Sequence, residues 1–145
     1  MLFLPSRIGK VLLRNRVIFP PMTTRLADEE GFVTDATIAY FAARARGGAG
    51  LVTVEMAAPE KAGRHRQREL GLYDDRFLPG LKRLVDAIHA AGAKASIQIG
   101  HGGGHTRADI CGETPIAPSA IPHDVFEVTN ERVVPEEMMK WAAVP

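Results

Sequence analysis

The feature that most narrows the fold is the unequal length of the connections between apolar segments. Val17-Ile18-Phe19, Leu51-Val52-Thr53-Val54 and Ala95-Ser96-Ile97-Gln98-Ile99 read as short buried strands, rich in β-branched residues. Between them, Ile38, Phe41, Ala42 and Ala45, then Leu81, Leu84, Val85 and Ile88, recur at helical spacing. Each helical pattern stops at glycine, Gly47-Gly48 or Gly92, and meets the next strand within a few residues. Each strand instead runs into a long polar loop. Strand, helix, strand with right-handed crossover makes a parallel sheet, and long loops gathered beyond the carboxyl ends put the functional face there.

This pattern predicts the α/β class, specifically the N-terminal part of a (β/α)8 barrel, about three βα units, preceded by a short β-hairpin. Pro5 and Gly9 punctuate that hairpin, and Val11, Leu12 and Leu13 supply one of its strands. Pro20-Pro21 stops the first barrel strand, because neither proline can donate to a ladder, and Met22-Thr23-Thr24 follow at its end. Thr34-Asp35 reads as a helix cap. The second strand ends in Glu55-Met56, and a long basic loop leads to Asp75 and the second helix. Beyond an irregular stretch from Gly100 to Val134, Pro135-Glu136-Glu137 opens an expected third helix. A doubly wound sheet is the competitor. Its phosphate-binding glycines are missing, since Gly100-His101-Gly102 is followed by His105 where the third glycine belongs.

Composition removes several function classes. With 18 Lys and Arg against 17 Asp and Glu, the net charge of +1 lays down no broad footprint for nucleic acid or an anionic membrane, and neither partner is expected. The single cysteine, Cys111, cannot make an internal disulfide, and no apolar run is long enough to span a bilayer, so a cytoplasmic location is expected. At 145 residues with 46% hydrophobic side chains, the chain can bury one ordinary core.

The chemistry-bearing stretch is Gln98-Ile99-Gly100-His101-Gly102-Gly103-Gly104 at the end of the third strand. A side chain with both a donor and an acceptor suits a ligand edge that alternates the two, such as a flavin pyrimidine. The residues alone leave open whether Gln98 does this or is a core amide satisfied by backbone. His101, His105 and Cys111 lie close in sequence, but on a glycine-rich loop without a second ligand pair, so no metal site is assigned. The His-Gly-Gly-Gly run also matches the oxyanion loop of lipase-type hydrolases, but no Gly-x-Ser-x-Gly follows it. Lys61, Arg64, His65, Arg66 and Arg68 read first as a solvated basic surface, and second as a contact for an anionic part of a substrate or nicotinamide cofactor.

Taken in order, these residues resemble the old yellow enzyme family of FMN-dependent oxidoreductases, in its NADH:flavin oxidoreductase / NADH oxidase branch, over about Leu2 to Pro135. The matching elements are Leu2-Phe3 with Pro5, Ile8-Gly9, Leu13-Arg14-Asn15-Arg16, Pro21-Met22-Thr23, Gly50-Leu51-Val52 leading to Glu55, Gly63-Arg64, Leu70-Gly71-Leu72-Tyr73 with Asp75, Gln98-Ile99-Gly100-His101-Gly102-Gly103, and Ala117-Pro118-Ser119. The resemblance implies that Pro21, Met22 and Thr23 run along the central ring of FMN, that Met56 lies beside it where relatives carry a smaller residue, and that Gln98 bonds its pyrimidine end. Gly104 stands where the family has an arginine, the nearest being Arg107.

The resemblance further implies an FMN-dependent NAD(P)H oxidoreductase that passes hydride to flavin N5 and then to a small-molecule, electron-poor acceptor such as an activated alkene. A complete barrel takes roughly 250 residues. Residues 1–145 are therefore expected to form a single incomplete FMN-oxidoreductase barrel domain, with the family's catalytic residues beyond its end, and the isolated chain is expected to be inactive. An alternative is a non-catalytic half-barrel subunit or assembly module, closed by a copy of itself or by a complementing chain.

Overall fold

The computed structural model describes residues 1–117 and the backbone of three short strands at 122–123, 128–129 and 132–133. The expected third helix at Pro135 lies outside the described residues. Strands β1 (Ser6–Ile8) and β2 (Val11–Leu13) pair antiparallel as the hairpin, with Ser6 opposite Leu13. Gly9 turns it with φ +55°, a left-handed value that glycine adopts without a Cβ penalty.

The main sheet is parallel throughout. Strand β4 (Leu51–Ala58) is its centre, paired on one side with β3 (Ile18–Phe19) and on the other with β6 (Lys94–Ile99). Strand β5 (Leu70–Gly71) joins the carboxyl end of β4, Ala57 opposite Leu70, on the side away from β6. Helices α1 (Asp35–Arg46) and α2 (Leu78–Ala90) make the crossovers. Thr34 caps α1 by accepting from the Thr37 amide, while Thr37 reaches back to the Thr34 amide. Pro79 sits in the first turn of α2, where its missing N–H costs nothing. Just ahead of α2, the Arg76 amide donates to Asp74 and holds that exposed carboxyl below its ordinary range.

Both helices cover one face of the sheet. Phe41 and Ala45 of α1, Leu84 and Ile88 of α2, and Val52, Val54 and Ala57 of β4 form the buried core. Arg14 fastens the far end of this layer: its guanidinium donates to the carbonyls of Ala45, Ala49 and Ala91, where the two helices end. Asn15 donates to Gly48 and accepts from Val17, and its carboxamide lies where a Cβ on Gly50 would be, 2.6 Å away. The Leu13-Arg14-Asn15-Arg16 motif is thus a fastening for the crossover.

Two expectations need correction. Ile18 and the third strand were expected to be buried, yet Ile18 is 48% exposed, and in β6 only Ala95 and Ile97 pack against the core while Ser96, Gln98 and Ile99 are exposed. The reason is position: β6 has β4 on one side only among the described residues, and the helices cover only one of its faces. The basic loop is the second. Arg64 is buried, not solvated, and donates from Nη2 to the Glu29 carbonyl.

Candidate functional site

The carboxyl ends of β3, β4 and β6 carry the residues singled out from the sequence. Pro21, Met22 and Thr23 continue directly from β3; Pro21 is half-buried and Met22 is 51% exposed. Met56 and Gln98 are register partners on β4 and β6. Thr23 and Met56 line one tight crevice, too narrow to admit a water. Met56 therefore links the other two ends: it neighbours Thr23 across that crevice and shares a ladder position with Gln98.

A register shift between Val54 and Met56 makes this possible. Without it, strict alternation would place Met56 on the same side as the core residues Val52 and Val54. The extra residue puts Ala57 into the core and moves Met56 to the side shared by Thr53 and Gln98. The displaced residue is Glu55, only 2% exposed; its carboxylate accepts from the Thr24 amide at 2.6 Å and from the Thr24 hydroxyl. Glu55 ties the Pro21-Met22-Thr23 segment to the end of β4.

On this face the sheet is open and polar. Ser96 donates to Thr53 at 2.9 Å, and both are accessible. One step nearer the carboxyl end, the Gln98 amide is exposed and has no hydrogen-bond partner among the described residues, and the same holds for the Thr23 hydroxyl. Met56 folds across Gly100, where a Cβ would meet its sulfur at 2.1 Å, so only glycine leaves room for this rotamer. Of the two readings left open, the core amide satisfied by backbone does not hold: Gln98 is exposed among the described residues, so its unpartnered amide bears no burial cost.

The loops around this face hold one another. His101 Nδ1 accepts from the Gly103 amide at 2.9 Å, so the ring proton sits on Nε2 and donates to Glu60 at 2.7 Å. Its ring lies against Gly63, and the Gly102 amide donates to the Gly63 carbonyl. Glu69 is buried and accepts the His65 and Arg66 amides on one oxygen. Arg107 forms a two-pronged pair with Asp109 on the surface. Among the described residues no group of three or more His, Cys, Asp or Glu could hold a metal ion, and no helix is long and apolar enough to cross a membrane.

Sequence reasoning missed Glu55, Glu60, Glu69 and Arg25. Arg25 has a left-handed backbone at φ +56°, which costs a non-glycine residue about 1 to 2 kcal/mol. The one sequence signal was the acidic residue at a strand end, noted for Glu55 without a role.

The residues present fit a planar, hydrogen-bonding ring: a free amide with donor and acceptor, a free hydroxyl, and a thioether laid across a glycine, all at the carboxyl ends of parallel strands. The fold is that of the N-terminal part of a TIM barrel. Comparison with known proteins gives the family. The sequence model of the NADH:flavin oxidoreductase / NADH oxidase family matches residues 1–142, and the chain belongs to it. FMN is the cofactor of this family and NAD(P)H its co-substrate. An NADPH dehydrogenase of Listeria monocytogenes serotype 4a is 43% identical over 138 residues, covering 91% of this chain and 40% of its own length. An NADH oxidase of Thermoanaerobacter brockii is 42% identical over 123 residues, 83% of this chain and 19% of its own. Among solved structures, a 2-naphthoyl-CoA reductase superposes with TM-score 0.88 at 30% identity, over 97% of this chain and 23% of that one. The old yellow enzyme homologue from Zymomonas mobilis superposes with TM-score 0.83 at 24% identity, over 97% and 41%, and supports the fold. The chain thus spans between 19% and 41% of the length of these relatives.

Proposed function

We propose that this chain is part of an FMN-dependent NAD(P)H oxidoreductase of old yellow enzyme type, cytoplasmic, acting on a small, electron-poor acceptor such as an activated alkene. Bound FMN would supply the hydride relay between NAD(P)H and that acceptor. Pro21, Met22, Thr23, Met56 and Gln98 would hold it. The Gln98 amide would serve the ring's alternating donors and acceptors, Thr23 would offer a hydroxyl, and Met56 would contribute an apolar contact. Glu55 positions the β3 loop, and Gly100 leaves room for the Met56 side chain.

The observation that carries the proposal is the Gln98 amide, unpartnered among the described residues and in register with Met56, which neighbours Thr23 across a tight crevice. The test is Gln98→Leu in the product of the complete reading frame. Losing the amide should weaken FMN binding by about tenfold or more, the worth of one to two net hydrogen bonds, with thermal stability nearly unchanged. Unchanged FMN affinity in a folded variant would sink the assignment.

Among the described residues β6 pairs with β4 alone, and this edge favours a second reading, an assembly module whose sheet is completed by a copy or a separate chain. Sedimentation together with flavin absorbance separates the two. A stable oligomer without flavin supports the module, and a yellow protein supports the enzyme.

A further inference from the structure

Building on the flavin-site reading, we propose that Glu60 is a positioning residue of that site: by fixing the tautomer of His101, it holds in place the glycine loop on which Met56 rests. Met56 and Gln98 stand near the ends of β4 and β6, and each strand runs on into one of two loops that are joined along a seam. The Gly102 amide donates to the Gly63 carbonyl at 2.7 Å, and the Thr106 hydroxyl donates to the Arg64 carbonyl. The seam is closed enough to need glycine on both sides: a Cβ on Gly63 would lie 2.6 Å from the His101 ring, and one on Gly102 would run into His65. The second loop starts at Gly100, whose amide donates to the Ala57 carbonyl at 3.2 Å and across which Met56 is folded. His101 comes next, so whatever fixes His101 also fixes the surface under Met56.

That fixing is done by two groups that demand the same tautomer. A neutral imidazole has one N–H and one bare nitrogen. The Gly103 amide donates to Nδ1 at 2.9 Å and needs it bare; Nε2 then carries the proton, and Glu60 Oε1 lies 2.7 Å from it. The His101 side chain is only 14% exposed, which leaves its Nε2 proton little recourse to water, whereas Glu60 is 37% exposed and keeps part of its solvation while it accepts. An acceptor at position 60 and a donor at the Gly103 amide thus lock one ring state between them. With the acceptor removed, the Nε2 proton loses its partner, the ring is no longer held against Gly63, and the loop can shift beneath Met56.

The experiment uses the product of the complete reading frame. Glu60→Gln keeps an accepting oxygen, whereas Glu60→Met keeps the length and bulk but removes it. FMN affinity, read by quenching of flavin fluorescence, should fall about fivefold in Glu60→Met, the worth of one net hydrogen bond, and stay within about twofold in Glu60→Gln. A side chain that only fills space would give the same result in both. His101→Asn keeps an acceptor close to the position of Nδ1 and releases Glu60, so adding Glu60→Met to it should change the affinity no further. The tautomer is read separately, in protein carrying 15N-labelled histidine: the ring signals that vanish in His101→Asn should report a protonated Nε2 and a bare Nδ1. Hydrogen exchange at the Gly103 amide should quicken about fivefold in Glu60→Met. These two readouts need no flavin, so a protein without flavin absorbance fails the flavin-site reading while the ring and the Gly103 amide still decide the lock. A protonated Nδ1, equal FMN affinities in the Gln and Met variants, or the full Glu60→Met effect in the His101→Asn background overturns the proposal.

Discussion

The two faces of one sheet differ more than any two elements of this chain. Toward the helices, β4 presents Val52, Val54 and Ala57, all essentially inaccessible, and packs them against Phe41, Leu84 and Ile88. Away from them, β4 and β6 present Thr53, Met56, Ser96 and Gln98, polar or polarisable side chains that remain at least partly accessible. The same strands therefore carry stability on one side and chemistry on the other. The lesson is one of independence: residues that alternate along a strand answer to different demands, and a substitution on one face need not register on the other.

Several substitutions would break or sharpen this contrast. The largest effect is expected from Leu84→Ala, which empties part of the helix-side core and should cost about 2 to 5 kcal/mol in chemical denaturation. FMN affinity per folded molecule should not change; a specific loss of flavin would show that the faces are coupled. Glu55→Ala comes next, because Glu55 belongs to the strand yet serves the loop. Leaving the Thr24 amide and hydroxyl unpaired should cost about 1 to 3 kcal/mol and also reduce FMN affinity, the one case where both readouts fall together. Stability falling without any flavin effect would remove Glu55 from the site. The smallest effect is expected from Thr53→Val, which deletes an accessible hydroxyl pair with Ser96; about 0.5 kcal/mol or less should be lost in the same denaturation measurement. A larger loss would mean that the open face contributes to folding after all.

Much of the helix-side face was legible from spacing. The stripes through Phe41 and Ala45 and through Leu84 and Ile88 identified α1 and α2, Thr34 announced its own cap, and Pro20-Pro21 marked the end of β3. The open face was less so. Leu70–Gly71 became a strand because the end of β4 had an edge to pair, and two residues carry no periodicity of their own. Arg64 was misread as solvated, since a buried arginine satisfied by a carbonyl 35 residues away leaves no local mark. The register shift at Glu55 was equally invisible. Five binding residues were named from the resemblance, and the structure relates Thr23 to Met56 and Met56 to Gln98, while Pro21 and Met22 are placed only by their position after β3.

What the sequence determined alone is the alternation of strands and helices, the direction of the sheet, and the end at which the polar loops collect, because these follow from local periodicity and from the short return from helix to strand. What only the tertiary structure decided is which face each strand-end residue occupies. That depends on a single inserted residue at Glu55 and on the neighbours β6 has among the described residues, and both are set by pairing between segments far apart in the chain.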